Sequence, residues 1–588
     1  MSFNAKLGRI PITIVEIDQD QCGHQYGIAP CTALIGTTGA IKCFNGFANC
    51  QDKANFDKQT LTMRFCKPQS NIQFDEYIIP SVQSVGTSPT KLNVGARSGT
   101  MKPLGVRAQV SLSFIDHPHS DNLVDPYVDE REYDPLKNGT FWAKWLKRNP
   151  YYNGRALRVL DGYMGQTLAE MQTRHYVIES ISMPDSKNIV KIKAQDILRL
   201  ADDDKAQAPR LSTGKLSANV TATQTIMVIV GGVQADYQQG GTQAIRIGDE
   251  VIRYTAISTD AVGNITISGM TRGSDGTVAE EYDAGDSVQG CLEYSIQRPD
   301  VVAYDLLINY GNINPAFIDL AAWQADAGTW LQSIEATRLL TEPMGVTTLL
   351  GELSEEFMFY IWWDEIQQLI NFKSISPVFG AVPILDEENN LLQNETSLTA
   401  DDKLRVSEIW VSYLPKNPVL KKNDRDSYKR TLARIDATSA SENEYGERKV
   451  YELFSPWLRN ESHVNLLSAK LLAKYRSNPV SIKFSLDAKD RFLGISDVFD
   501  IKYKGMVTDT GEPDLIRYQV VSKYEKIAGE KITIEAVKFE YDIDFRAGKW
   551  MDDNATTYDL ATPSERFSGM WWADDEGKIS GDDGYVWS

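Results

Sequence analysis

Alternation of apolar and polar side chains dominates from Leu61 to about Leu200. Val106-Arg-Ala-Gln-Val-Ser-Leu-Ser-Phe114, Arg155-Ala-Leu-Arg-Val-Leu160 and Val190-Lys-Ile-Lys-Ala194 each put every second residue on one face, the period of a half-buried strand. Within this stretch Thr140-Phe-Trp-Ala-Lys-Trp-Leu-Lys147 has helical spacing, with Thr140 as N-cap and Asn149-Pro150 as a stop. Residues 211–292 form a second β-rich unit, with strands at Ala244–Ile247 and Glu250–Tyr254 and a Gly-rich turn at Arg272–Thr277. It reads as an inserted small β-barrel. Helices are predicted at Asp300–Asn309, Pro315–Gln332 and Glu342–Glu356, then hairpin arms at Phe359–Asp364 and Leu369–Ile375. A third β-rich unit spans 375–545. A helix at Ser462–Arg476 interrupts it, with Leu466, Leu467, Leu471 and Leu472 at helical spacing.

One pattern recurs. Tyr163-Met-Gly165 precedes Tyr176-Val-Ile-Glu-Ser180 and Val190-Lys-Ile-Lys-Ala194, just as Tyr503-Lys-Gly505 precedes Tyr518-Gln-Val-Val-Ser522 and Ile532-Thr-Ile-Glu-Ala536. From Tyr176 to Ala194 and from Tyr518 to Ala536 the copies align without a gap. Matched strand, loop and strand lengths imply a matched turn and register, so two barrel modules of one design are expected.

The chain has 588 residues, more than one core of roughly 250 to 300 residues can serve. The pattern divides it into an irregular N-terminal cysteine-rich lobe (1–66), a first barrel (67–210), the inserted small barrel (211–292), a helical connector with hairpin (293–374), a second barrel (375–545) and a C-terminal arm (546–588). The expected class is mainly β (α+β) and multidomain. No run of about 18 apolar residues is present and the N-terminus lacks an apolar leader, so neither a membrane span nor secretion is expected. A formal net charge of −19 argues against a surface that grips nucleic acid. A channel lined by carboxylates would instead let DNA pass without sticking.

The stretch Arg9–Cys66 has little periodicity, few large apolar residues and five of the six cysteines. Such a segment needs a metal or a cross-link to order it. Cys22, Cys31, Cys43 and Cys50 follow C-x8-C-x11-C-x6-C, with Cys66 farther on and Cys291 remote. Zinc sites usually present C-x2-4-C pairs, which this set lacks. An iron-sulfur cluster, larger than one ion, accepts widely spaced thiolates from an irregular loop. Cluster, then unligated or disulfide-forming thiols, then zinc all stay open on spacing, in that order.

Other candidate chemistry is weaker. Asp116, His117, His119, Asp121 and Asp125 have ligand chemistry but read as a polar inter-strand loop, since no H-E-x-x-H pattern accompanies them. Acid pairs such as Asp129-Glu130 and Glu355-Glu356 read as solvated faces in a chain with 80 acidic residues. No P-loop, G-x-S-x-G or dinucleotide fingerprint sits after a strand, so no catalysis is expected. Trp362-Trp363 points its rings to opposite faces of a strand, core and interface, while Trp550, Trp571, Trp572 and Trp587 lie in an acidic, Gly-rich arm.

The segments Cys22-Gly-His-Gln-Tyr-Gly-Ile-Ala-Pro-Cys31 and Lys42-Cys-Phe-Asn-Gly-Phe-Ala-Asn-Cys50, with Ile115-Asp-His-Pro-His-Ser120, Gly139-Thr-Phe-Trp-Ala-Lys-Trp145 and Met570-Trp-Trp-Ala-Asp-Asp-Glu-Gly577, resemble siphophage tail-tip and baseplate-hub proteins. The likeness is to the lambda-type minor tail protein L family and myophage-type hub trimers, and it reaches about residue 545. It implies a [4Fe-4S] cluster on Cys22, Cys31, Cys43 and Cys50, with Cys66 as possible substitute and zinc as the less favoured cofactor. It also implies a non-enzymatic homotrimer in the virion tail tip, assembled in the bacterial host cytoplasm. That trimer would join a distal tail protein and tape measure protein to a central tail fibre around the DNA channel. An iron-sulfur redox enzyme and a receptor- or glycan-binding tail protein are the competing readings.

Overall fold

The computed structural model describes residues 10–539 except 39, 69–76, 95–103, 133, 135, 203–205, 333, 379–380, 401–403, 438–439, 441–446, 477–479 and 528–530; beyond 539 it describes 549–550, 560, 562, 569–570, 578–579 and 582–583. The chain is mainly β. No helix among the described residues is long and apolar enough to cross a membrane.

The first sheet contains β1 (Pro11–Cys22), β2 (Lys58–Cys66), β3 (Ile78–Ile79), β4 (Val82–Ser88), β5 (Gln109–Ile115), β6 (Ala156–Tyr163), β7 (Gln172–Ile181) and β8 (Ile189–Gln195). Its order is β3-β2-β1-β6-β7-β8-β5-β4. Helix α1 (Phe141–Arg148) starts after Thr140 and ends at Asn149, as its spacing indicates. It buries Phe141, Trp142, Trp145 and Leu146 against the face formed by Phe65, Phe114, Val159 and Ile178. The expected irregular lobe is shorter than read. β1 runs through Ile12, Ile14 and Ile17 into the middle of the sheet, so only Gly23–Asp57 stands outside it.

Two four-stranded sheets from residues 215–290 share a core of Leu216, Ile229, Tyr237, Ile245, Ile252 and Ile265. Helices α2 (Pro299–Asp305), α3 (Leu320–Trp330) and α4 (Val346–Phe357) follow. Together with the hairpin Phe359–Asp364/Leu369–Ser374 they join the sheet of Glu408–Pro415, Tyr428–Ile435 and Val450–Phe454 and the helix Glu461–Tyr475 in the largest core. A six-stranded sheet follows. Its order is Ile384–Asp386, Val498–Val507, Pro513–Ile527, Lys531–Lys538, Val480–Asp487, Ser397–Ala400. Neither this sheet nor the first closes into a barrel among the described residues; each keeps two edges.

The two large sheets repeat one design. In the first, Leu157 faces Tyr176, Arg158 faces His175 and Val159 faces Arg174. In the second, Phe499 faces Tyr518, Asp500 faces Arg517 and Ile501 faces Ile516. Every one of these residues lies 342 positions from its counterpart, the interval from Tyr176 to Tyr518. The next strand keeps that interval: Ile178 faces Ala194 and Ile181 faces Ile192, while Val520 faces Ala536 and Lys523 faces Ile534. The β-bulge is shared too, between Ile178 and Ser180 in one and between Val520 and Ser522 in the other. A bulge shifts register and adds twist at a fixed point, so its coincidence gives both sheets the same bend. The same face is buried in both: Leu157, Val159, Ile178, Ile192 and Ala194 match Phe499, Ile501, Val520, Ile534 and Ala536, all fully buried.

The hairpin lies between these sheets. The Trp363 indole N–H donates to the His175 carbonyl on β7 at 3.2 Å. Trp362, on the opposite face, packs with Tyr360, Leu92, Val94 and Val521, the bulged residue of the second sheet. The Tyr360 hydroxyl accepts from the Gln519 amide at 2.8 Å. The two-faced reading of Trp362-Trp363 therefore describes a wedge that contacts equivalent strands of both sheets.

Candidate functional site: the cysteine lobe and its flanking cleft

The lobe Gly23–Asp57 hangs between β1 and β2, whose nine residue pairs hold its two ends together. Its order comes from hydrogen bonds. The Cys22 N–H donates to the Asn45 carbonyl at 2.8 Å and the Gly23 N–H to that of Asp57 at 2.9 Å. Arg131 donates to the carbonyls of Lys42 (3.1 Å) and Cys43 (2.8 Å) and forms an ion pair with the buried Asp125 at 2.6 Å. The Tyr26 N–H donates to the Tyr127 hydroxyl at 2.8 Å. The guanidinium carbons of Arg131 and Arg148 lie 3.9 and 4.1 Å from the centre of the Phe44 ring, contacts of cation–π type.

Cys22, Cys31, Cys43 and Cys50 line one small pocket with His24, Tyr26, Ala33 and Phe56. All are free thiols of intermediate exposure, and burial pushes Cys43 and Cys50 above the ordinary thiol range. Among the described residues, however, no three or more Cys, His, Asp or Glu side chains form a group able to hold a metal ion. The [4Fe-4S] expectation is therefore corrected, and zinc with it. The thiols come from a strand end, a turn at Ile28–Cys31, the loop over Tyr127 and a short turn after Phe47–Asn49. The ordering role assigned to a metal is filled by the Arg131 and Asp125 contacts. Cys66, a residue buried at the end of β2, stands apart from that pocket.

The Asp/His run is a braced loop. The His119 ring Nδ1 accepts from the Asp121 N–H at 2.9 Å, and its Nε2 lies 3.0 Å from the Tyr77 hydroxyl, so both ring nitrogens are engaged. Asp121 pairs with Lys144 at 2.9 Å and Arg148 at 2.7 Å. Burial opposes its charge, but the His119, Lys144 and Arg148 contacts outweigh this and hold the carboxyl at about 2. α1 is thus tied to the loop by charge as well as by packing.

The solvated-face reading fits Asp129-Glu130, which is exposed, and fails for Glu355-Glu356, which is buried. Glu352 pairs with Lys422 at 2.7 Å and with Arg338. Glu356 accepts from the Ser455 hydroxyl and from the Trp457 N–H (3.3 Å), while its other oxygen has no partner among the described residues. Burial pushes its carboxyl up to about 8. Its folded value then lies above the unfolded value of about 4.3. The protonated form is favoured by folding, so this contribution is full below the unfolded value and is lost as pH rises through about 8. Melting curves of the wild type should fall between pH 5 and 9 more steeply than those of Glu356→Gln, with the variant the more stable at pH 9. Parallel curves would remove this assignment.

Comparison with known proteins adds likeness of low degree. No family model and no curated protein matches the chain. Among solved structures it is similar to the tail protein from Neisseria meningitidis, at 9% identity, TM-score 0.37 and 77% and 91% coverage of this chain and that one. It is also similar to the 43 kDa tail protein of prophage MuSo2 from Shewanella oneidensis, at 10% identity, TM-score 0.36 and coverage of 78% and 98%. A third is an Escherichia coli component of the type VI secretion system described as structurally similar to T4 bacteriophage tail proteins, at 7% identity, TM-score 0.31 and coverage of 79% and 74%. These neighbours are described as tail proteins and a secretion-system component; at such scores their likeness decides nothing about this chain's function.

Proposed function

We propose that the chain is a structural hub subunit of a phage tail tip, without catalytic activity. The observation that carries the reading is the register-for-register match between β6-β7-β8 and the strands from Val498 to Lys538, bulge included. Two like sheets in one chain let three chains around an axis present six like units, the match a trimer needs to seat on a six-fold tube. The hairpin fixes the two sheets relative to each other, as such a ring requires. In this reading the ring joins the distal tail ring and tape measure protein to a central fibre. The acidic character of the chain then suits a channel through which DNA passes without specific binding. Cys22, Cys31, Cys43 and Cys50 enter as packing residues of the lobe's small pocket.

Tail particles isolated from lysed cells and analysed by quantitative mass spectrometry should contain this chain in multiples of three copies. Electron microscopy should place its two large sheets at one radius around the axis. A copy number that is not a multiple of three, or sheets at different radii, would overturn the proposal.

A further inference from the structure

A large cleft lies where Gly23–Asp57 meets α1. Its volume is about 1090 Å³, the upper end of what ordinary ligand pockets occupy. The mouth is apolar: Ile35, Ile41 and Tyr151 line it and are 57%, 55% and 66% exposed. Large apolar side chains grouped at a cleft mark a site for a partner more than a solvated surface does. Its walls carry five cations, Lys42, Arg131, Lys144, Lys147 and Arg148, against the carboxylates of Glu130 and Glu132. Asp125 and Asp121 beneath them engage Arg131, Lys144 and Arg148, and Glu130 engages Lys42 at 2.7 Å. Lys147 stays exposed on the last turn of α1. The cleft therefore suits a segment with large flat apolar groups followed by negative charge.

The chain itself carries such a segment. Residues 551–588 hold nine Asp and Glu against Arg566 and Lys578, and Trp571-Trp572 is followed at once by Ala573, Asp574, Asp575 and Glu576. We propose that the segment 570–577, which lies outside the described residues apart from Met570, docks in this cleft. Its two indoles would cover Ile35, Ile41 and Tyr151, and its carboxylates would meet Lys147 and the Lys42 rim. Paired aromatic anchors within a charged rim are the arrangement on which small interfaces concentrate their affinity. The lobe and α1 then form a socket for the chain's own C-terminus, independently of the hub reading.

Zero-length carbodiimide coupling of the full chain, followed by peptide mass spectrometry, tests this. Links from Asp574, Asp575 or Glu576 to Lys42, Lys144 or Lys147 are expected, with their yield reduced at least tenfold in a Trp571→Ala/Trp572→Ala variant. An equimolar mixture of light and heavy chains tells whether the segment comes from the same or a neighbouring copy; either pattern supports the docking. Absence of links to these three lysines, or a yield unchanged in the double variant, overturns it.

Discussion

Trp142→Ala is expected to lower the stability of the first sheet by about 3–5 kcal/mol, the range for deleting a large buried aromatic side chain. Trp142 is fully buried. Its ring stacks on Phe65 at 5.3 Å, tilts against Phe114 at 4.9 Å and meets Phe141 and Trp145 edge-on. The indole N–H has no hydrogen-bond partner among the described residues, so the loss is one of packing and cavity formation. The consequence should not stop at the core. α1 also carries Lys144 and Arg148, which pair with Asp121, and Arg148 lies over Phe44 of the lobe. Hydrogen exchange in the variant should therefore accelerate in residues 22–57 as well as in β2 and β5, while residues 480–538 keep their protection. Trp142→Phe should show a smaller loss in the same places. Uniform acceleration across both large sheets would contradict this division, and an unchanged lobe would show that α1 does not hold it.

Much of this architecture is legible in the alternation of residues, for a plain reason. A strand with one buried face must place its apolar groups at every second position, and Val190–Ala194 and Ile532–Ala536 do so without interruption. The repeat could be read because two sheets with the same buried face and the same bulge need the same spacing between Tyr176 and Ala194 as between Tyr518 and Ala536. Closure into barrels could not be read in this way. It depends on how edge strands meet, and here Ile384–Asp386 joins its sheet in parallel while β1 joins β6 antiparallel.

The lobe was the least legible part. Cysteine spacing says how far apart thiols are along the chain but not which way the loop carries them, and the residues that order this loop lie far away in sequence. Arg131 reaches Cys43 across 88 residues and Tyr127 meets Tyr26 across 101. β1 was hidden by its position beside that loop, although Ile12 and Ile14 on one face and Val15 and Ile17 on the other are all buried, as befits a strand inside a sheet. Glu352 and Glu356 were missed because acidic residues in an acidic chain look like surface. The signal was their place on α4, whose Leu349, Leu350 and Leu353 leave little of the helix for solvent.

Arg272→Met should destabilise the unit of residues 215–290 by about 3–5 kcal/mol, because it strands a buried charge. Glu250 is 0% exposed. It accepts from Arg272 Nε at 2.8 Å and Nη2 at 2.7 Å, from the Gly273 N–H at 2.7 Å and from the Glu280 N–H at 3.2 Å. Burial opposes its charge, yet the guanidinium and the two backbone donors outweigh this and hold the carboxyl below the ordinary range. In the wild type this contribution is present above the unfolded value and is lost only as pH falls through that depressed folded value. Without Arg272 the cause of the depression is removed and burial remains, so protonation of Glu250 should relieve the variant. Its stability should then rise, relative to wild type, as pH falls from 8 toward 5. Cys291 gives a direct readout, since it is fully buried beside Ala244, Val251 and Leu339. Its alkylation should be faster in Arg272→Met at pH 8, and Arg272→Met/Glu250→Leu should slow it again by removing the stranded charge. Cysteine reactivity equal to wild type in the single variant, or no rescue by the second substitution, would show that the unit is held by its apolar core without this pair.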